Sequence, residues 1–213
     1  SAFPGTLVRH YAAPAADGRR FVQGPDRQLD LLADALPRDL GRVRGGYLTL
    51  GDLRDVAAAA GALEADFDAI RVGVHDGIEV VLGHAWDGAV TGERRIAQVF
   101  TSTLAGGGYS GGAPIAGPIE SLCRTLLRAA YLGTLLAAAA LGSRRVVLTL
   151  IGGGVFGNPH PLIWEAIVEA FDRADDPARP LDVVVNARDL HPSLPLAKVR
   201  SDVDVRRGVV ASL

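Results

Sequence analysis

The sequence predicts an α/β protein of three layers (α/β/α), in which helices cover both faces of a central mixed, largely parallel sheet. Its composition supports this class: 48% of residues are hydrophobic, only 6% are aromatic, and there are 26 glycines. Apolar, β-branched runs alternate along the chain with patterns of helical spacing. The runs in the second half are continuously apolar, as in strands that are covered on both faces.

The chain length favours a single domain. With 213 residues, a domain buries about 70% of the surface of its unfolded chain. We assign residues 26–213 to this domain and residues 1–25, which are rich in Pro, Gly and Ala without a sustained period, to an N-terminal extension that wraps the surface or is mobile. A net charge of −2 predicts binding to neither nucleic acid nor anionic membranes.

Helices and strands are predicted from apolar periodicity and from Gly and Pro punctuation. The helical patterns cover residues 26–36, 51–63, 117–141 and 161–173. The strand-like runs cover residues 45–50, 68–74, 78–86, 95–103, 145–151 and 181–187. The most apolar stretch, residues 126–142, is interrupted by Arg128 and is shorter than the roughly 20 residues of a bilayer span, so we interpret it as a buried helix.

The cysteine and histidine content argues against a metal site. Cys123 is the one cysteine, which excludes an intramolecular disulfide and fits a cytoplasmic location. Its place in an amphipathic helix predicts a buried packing role. The histidines are scattered without metal-binding spacing, so neither a metal nor a cofactor is expected.

A glycine-rich segment follows the strand predicted at residues 145–151. It satisfies G-x-G-x-x-G through Gly152, Gly154 and Gly157, and it leads into a predicted helix. In this position backbone N–H groups and the helix dipole can bind a phosphate, and missing side chains let a ligand approach and permit positive φ. The alternative is a tight strand-to-helix turn that needs glycine for its geometry alone.

Another glycine-rich loop, TSTLAGGGYSGGAPIAGPIESL, spans residues 101–122. In chain order we call it the first glycine loop, and the segment at residues 152–157 the second glycine loop. Its glycines, Gly106, Gly107, Gly108, Gly111 and Gly112, surround Tyr109 and Ser110. Ligands of open α/β sheets bind beyond the carboxyl ends of the strands, so two such loops could close over one diphosphate. The alternative is a flexible surface loop.

The two segments VFTSTLAGGGYSGGAP (residues 99–114) and RRVVLTLIGGGVFGNPHPLIW (residues 144–164) resemble the ligand loops of the macrodomain superfamily, which bind ADP-ribose. GGGVFGNP is similar to the diphosphate loop of two bacterial branches. One is poly(ADP-ribose) glycohydrolase-like, and the other is effector-related and strips ADP-ribose from modified protein. The resemblance covers residues 95–171 and implies a macrodomain-like fold with ADP-ribose as the ligand.

The resemblance also implies which residues form the site. The implied binding residues are Asp52, Gly106, Gly107, Gly108, Tyr109, Ser110, Gly152, Gly153, Gly154, Val155, Phe156, Gly157 and Asn158. Glu120 is the implied catalytic residue, as general acid or as the group that positions the attacking water. The glycohydrolase pattern has Gln-Glu-Glu where this chain has Pro118, Ile119 and Glu120, so one of its carboxylates is present here.

Four of the implied residues have a structural alternative. Phe156 either lies beside the ribose or diphosphate or packs beneath the turn. Asn158 either bonds the ligand or caps the next helix. Asp52 either accepts from the adenine amino group or caps a helix at 53–62. Glu120 is either catalytic or a negative charge favoured in a first helical turn.

The leading hypothesis is therefore an ADP-ribose-binding domain that hydrolyses ADP-ribose linkages on modified protein. Its partners would be ADP-ribose and ADP-ribosylated protein; the sequence does not indicate an oligomeric state. One alternative is a non-catalytic ADP-ribose reader. Another is a Rossmann oxidoreductase, which is disfavoured because Pro159 and Pro161 delay the helix that should begin within the motif.

Overall fold

The computed structural model describes residues 29–80, 88, 90–101, 103–187 and 190–211. The extension predicted at residues 1–25 lies outside them. The described part contains both helices and strands, which confirms the α/β class. In chain order these elements are α1 (Val56–Ala65), β1 (Gly73–Glu79), β2 (Arg95–Phe100), α2 (Pro118–Ala140), β3 (Arg145–Thr149), α3 (His160–Ala174), β4 (Asp182–Asn186) and α4 (Leu196–Val205).

The strands form two separate pairs within the described residues. β1 and β2 are antiparallel. β3 and β4 are parallel, with Arg145 opposite Asp182 and Thr149 opposite Asn186, as predicted for the second half of the chain. One side of the β3–β4 pair is packed, whereas Val147 and Val184, which lie opposite each other, are exposed. A three-layer arrangement around one central sheet therefore stays a prediction.

Helix α2 is the centre of the helical layer. Leu126, Leu127 and Leu135 are fully buried on it, and it packs between α1 and α3. Pro118 lies in its first turn, where the missing N–H costs little, as the sequence predicted. By length and composition α2 could span a bilayer, but most of its apolar stretch is buried inside the protein, as in the core helix of a folded domain.

Ion pairs connect α2 with its neighbours. Arg128 on α2 donates to Glu64 on α1 at 2.8 Å and to Glu169 on α3 at 2.9 Å. Thr125 donates to Glu64 at 2.7 Å. Hydrogen bonds from Arg128 and then Thr125 hold the pKa of Glu64 below its ordinary value. The carboxylate of Glu64 therefore stays charged at the α1–α2 contact.

Helix α4 was not predicted from the sequence. It begins after Pro195 and docks on α3 mainly through polar contacts. Trp164 donates from Nε1 to Asp202 at 2.7 Å, and Arg206 pairs with Asp172. Among the residues of α4 only Val199 is buried, so the apolar periodicity of this segment is a weak signal for a helix.

The helix predicted at residues 26–36 is wrong over its described part. Residues 31–36 form turns, with one helical hydrogen bond from Leu36 N to Leu32 O at 2.8 Å. The apolar spacing did identify the buried side, because Leu32, Ala35 and Leu36 are in the core. The segment is short because Pro37 disfavours helical geometry at the residue before it.

The strand predicted at residues 45–50 is wrong as well. Gly45 and Gly46 have φ of 54° and 82°, and they form a turn across which Arg44 and Tyr47 exchange two backbone hydrogen bonds. Leu48 then makes a single parallel bridge to Leu104. Two adjacent glycines at positive φ favour a tight turn over an extended strand.

The start of a further predicted strand also differs from the prediction. The first half of the strand predicted at 68–74 is a 3-10 turn, Phe67–Ala69, and the strand starts at Gly73. The next predicted strand, at 78–86, falls largely on residues outside the described part.

Candidate functional site

The two glycine loops touch each other through their backbones. A Cβ atom on Gly106 would lie 2.6 Å from the carbonyl oxygen of Phe156, and one on Gly107 would lie 2.7 Å from that of Val155. Contacts this short are not tolerated, so any side chain at either position would push the loops apart. Gly106 and Gly107 therefore serve the contact between the loops, which is a role that the sequence analysis did not consider.

Asn158 lies beneath this contact and is only 2% exposed. Its Nδ2 donates to Leu104 O at 2.9 Å and to Gly152 O at 3.1 Å, and its Oδ1 accepts from Cys123 Sγ at 2.9 Å. The helix cap proposed for Asn158 is wrong, because Pro159 occupies the N-cap of α3. The amide faces the protein interior and joins the two loops to α2.

Cys123 packs in the core, as predicted. Burial raises the pKa of its thiol to about 12. The thiol is therefore neutral at physiological pH, and its S–H group donates a hydrogen bond to Asn158 Oδ1.

The glycines of the second loop differ in their backbone conformation and in the space that surrounds them. Positive φ occurs at Gly152 (77°) and Gly157 (65°). Gly154 has no positive φ, contrary to what the motif suggested, and no atom lies within 4 Å of a Cβ built there. Together with Val155, which is 77% exposed, Gly154 forms the open rim of the loop. The same open space is found at Gly108 in the first loop.

Three aromatic rings from three separate segments meet beside the loops. Tyr109 stacks on Tyr47 with ring centroids 6.1 Å apart, and Phe156 meets Tyr109 edge-on at 5.2 Å and Tyr47 at 6.0 Å. Tyr109 is 55% and Tyr47 is 38% exposed. We call these three residues the aromatic cluster. Tyr109 and Phe156 were predicted from the sequence as site residues, but Tyr47 was not, because GGYLTL was assigned to a strand.

Ser110 connects the first loop to the segment that carries Asp52. Its hydroxyl donates to Ala105 O at 2.7 Å and accepts from Leu50 N at 3.0 Å. The hydroxyl therefore acts as both donor and acceptor, and both hydrogen bonds position the loop.

Asp52 lies at the end of a 3-10 turn, Leu50–Asp52. Its Oδ2 accepts from Thr49 N at 3.0 Å and from Thr49 Oγ1 at 2.7 Å, while Oδ1 pairs with Arg44 Nε at 3.0 Å. The predicted cap of helix 53–62 is wrong, since α1 is capped by Asp55, which accepts from Ala58 N at 3.0 Å. A ligand amino group would share Oδ1 with Arg44.

Glu120 lies in the first turn of α2 and is half exposed. It pairs with Arg124 at 2.9 Å, and Arg124 also binds Glu165 of α3 at 2.5 Å. The contacts described for Glu120 are therefore with the helical layer. This geometry fits a charge that stabilises a helix start.

Two clefts in the described part lie away from the loops. One is lined by Arg144, Arg145, Pro180, Leu181 and Asp182, at the opposite end of β3 from Gly152. The other lies between α3 and α4. Among the described residues, no group of three His, Cys, Asp or Glu side chains is placed to hold a metal ion.

Comparison with known proteins gives similarity to solved structures only. No family model matches the chain, and no curated protein matches it. A poly(ADP-ribose) glycohydrolase from Thermomonospora curvata is similar at 24% identity and a TM-score of 0.40, over 57% of this chain and 42% of that one. A mutant of a glycohydrolase from the same organism is similar at 23% identity and a TM-score of 0.39, over 57% of this chain and 44% of that one.

These solved structures are poly(ADP-ribose) glycohydrolases, which is one of the two branches that the glycine-rich segment at residues 152–159 resembles. The chain spans less than half the length of each. The similarity is partial at these TM-scores.

Proposed function

We propose that this chain binds ADP-ribose on the surface formed by its two glycine loops and the aromatic cluster, within a macrodomain-like three-layer fold. One observation carries the proposal. The loops lie in backbone contact and bring Tyr109 and Phe156 together with Tyr47, although the three rings are far apart in the sequence. Exposed aromatic rings gathered at a loop surface are typical of sites that bind planar groups.

Each part of ADP-ribose has a matching feature. The open rim at Gly154 precedes α3, where backbone N–H groups and the helix dipole favour a diphosphate. The rings of the aromatic cluster can pack on the adenine or on a ribose. Asp52 offers an acceptor for the adenine amino group, held in place by Thr49 and Arg44.

We further propose that the domain hydrolyses ADP-ribose linkages on modified protein, with Glu120 as the group that orients the attacking water. A carboxylate paired with Arg124 is an acceptor, which favours this role over proton donation. The same pairing supports the second candidate, a non-catalytic reader, because Glu120 is engaged with Arg124 and, through it, with α3.

Calorimetric titration of ADP-ribose, NAD and AMP tests the binding proposal. We expect ADP-ribose to bind tightest, Tyr109→Phe to retain its affinity and Tyr109→Ser to lose it, because only the ring is needed. Preference for NAD would contradict the proposal and support the oxidoreductase. Incubation with ADP-ribosylated protein then separates the hydrolase, which removes the modification, from the reader, which leaves it in place.

A further inference from the structure

Tyr131 of helix α2 bonds the chain at the point where it leaves strand β3 for the second glycine loop. Its hydroxyl donates to Thr149 O at 2.7 Å and accepts from Ile151 N at 2.9 Å. Thr149 is the last residue of β3, and Gly152 is the first residue of the loop. A carbonyl oxygen only accepts and a backbone N–H only donates, so the direction of both bonds is fixed. The hydroxyl therefore attaches the strand exit to α2.

The side chain of Tyr131 is buried in the hydrophobic core and is 3% exposed. A buried hydroxyl needs hydrogen-bond partners, because burial without them costs free energy. Both partners of this hydroxyl come from the strand exit. Phenylalanine has the same ring and would fill the same space, so packing alone does not require the hydroxyl.

Helix α2 also holds the other end of the second glycine loop. Cys123, about two helical turns before Tyr131, bonds the side chain of Asn158, which directly follows the loop. The N–H of Asn158 donates to Gly152 O at 2.9 Å, which closes the loop at its base. The base of the loop is therefore fixed to α2 on both sides.

The tip of the loop presents backbone N–H groups. Those of Gly154, Val155 and Phe156 donate to no protein group in the described part of the chain, whereas Gly153 N donates to Leu150 O at 3.1 Å. Successive unpaired N–H groups in a turn form a concavity that binds anions. Their direction depends on how the base of the loop is held.

We propose that Tyr131 is a positioning residue, whose hydroxyl fixes the strand exit so that the N–H groups of residues 154–156 keep the arrangement that a diphosphate requires. Because Tyr131 is buried, it acts through the loop and not by contact with the ligand. Ile151 N also donates to Thr149 O at 2.8 Å. Loss of the hydroxyl would therefore leave this turn closed but detached from α2.

The effect on ligand binding rests on the proposed function. Tyr131→Phe removes the hydroxyl and keeps the ring. We expect ADP-ribose affinity to fall roughly fivefold, the equivalent of about 1 kcal/mol and of one hydrogen bond. Adenosine, which has no phosphate, should keep its affinity. A general loosening of the fold would weaken both ligands alike, so the difference between them separates positioning from a structural role.

Hydrogen exchange of the free protein tests the attachment directly. In the wild type, the amide of Ile151 should exchange more slowly than that of Gly154, and Tyr131→Phe should speed its exchange. Calorimetry then gives the affinity for ADP-ribose, and NMR titration gives that for adenosine. Ala138→Gly is the control: Ala138 is buried on α2 about two turns beyond Tyr131, and glycine destabilises a helix interior.

The expected result is faster exchange at Ile151 and a loss of affinity confined to ADP-ribose, both in Tyr131→Phe and not in Ala138→Gly. Unchanged ADP-ribose affinity in Tyr131→Phe, equal losses for the two ligands, or the same loss in Ala138→Gly would overturn the proposal. An Ile151 amide that exchanges as fast as Gly154 in the wild type also overturns it, even if Tyr131→Phe does not fold. If the wild type binds no ADP-ribose, the proposed function fails, and the exchange of Ile151 alone decides whether Tyr131 holds the loop.

Discussion

The side-chain amide of Asn158 donates to the carbonyl oxygen of Leu104 at 2.9 Å, which joins the base of one glycine loop to the end of the other. The same nitrogen reaches Gly152 O, and the amide oxygen accepts from Cys123. One buried residue thus sets the spacing of the loops without lying on the proposed ligand surface.

Replacement of Asn158 should destabilise the fold. Asn158→Ala leaves Leu104 O buried without this partner and removes the acceptor of Cys123, so we expect a loss of about 2–4 kcal/mol in the free energy of unfolding. Asn158→Asp should cost more, because a buried carboxylate would face two carbonyl oxygens. Urea unfolding measures both. The exposed Asn186→Ala is the control, and a loss below about 0.5 kcal/mol in Asn158→Ala would contradict the bridging role.

The buried thiol of Cys123 predicts a loss of stability in alkali. Burial raises its pKa to about 12, whereas a thiol in the unfolded chain ionises near pH 8.5. Between these values the unfolded chain has released the proton and the folded chain retains it. The free energy of unfolding therefore falls as pH rises, by about 2 kcal/mol from about pH 8.5 to 10.

Cys123→Ala should remove this part of the slope, which urea unfolding at several pH values would detect. Burial also raises the pKa of Tyr131, which adds a decline at higher pH to both proteins. An identical pH dependence in the wild type and Cys123→Ala would show that the thiol is not responsible.

Gly154→Val should weaken ADP-ribose binding by roughly tenfold or more, about 1.4 kcal/mol, with little effect on folding. The new side chain enters space that is open in the protein and that a phosphate would need. Calorimetry measures the affinity. Gly106→Ala is the contrasting variant: its Cβ would meet Phe156 O at 2.6 Å, so it should lower stability as well as affinity. Undiminished binding by folded Gly154→Val would exclude a diphosphate at this rim.

Asp52 and Asp55 allow a direct comparison of ligand contact with helix capping. Asp52→Ala should weaken ADP-ribose more than ribose 5-phosphate, because only ADP-ribose carries an adenine. Asp55→Ala removes the cap of α1 and should cost about 1 kcal/mol of stability without changing either affinity. Equal losses for the two ligands in Asp52→Ala would mean that the residue acts through the Arg44–Asp52 segment instead.

Glu120→Gln should lower the turnover of ADP-ribosylated protein by roughly 10²-fold and leave ADP-ribose affinity within a few-fold, if Glu120 orients the attacking water. Glu165→Gln is the matched control, since it removes the other carboxylate bound to Arg124. Similar slowing in both variants would assign the effect to the position of Arg124. An unchanged rate in Glu120→Gln would leave Glu120 as a favourable charge at a helix start.

Local signals in the sequence predicted the order from α2 through β3 to α3 well. Long apolar periodicity, Pro118 and the glycine-rich strand exit are all readable from neighbouring residues, and the parallel pairing of β3 and β4 followed from their continuous apolar runs. Segments with competing signals were predicted poorly. Gly45 and Gly46 form a turn where a strand was predicted. Pro37 ends the segment at residues 31–36, where a helix was predicted.

The site was predictable only in part, because its geometry depends on contacts between distant segments. Tyr109 and Phe156 stood out among glycines, but nothing near Tyr47 shows that its ring meets theirs. Asn158 looked like a helix cap, since its partners Leu104 and Cys123 are distant in sequence. The burial of such residues and their hydrogen-bond partners depend on which distant segments the fold brings together, and local sequence propensity does not predict them.

The backbone contact at Gly106 and Gly107 has a consequence for protein engineering. Because the backbone of the second loop fills the space in which Gly106 and Gly107 would carry side chains, the two loops cannot be exchanged independently. Grafting one loop from a related domain should give a protein that folds poorly, whereas transplanting both with Asn158 should preserve their fit. The two loops are in this sense one exchangeable module, although helix α2 and strand β3 separate them in the chain.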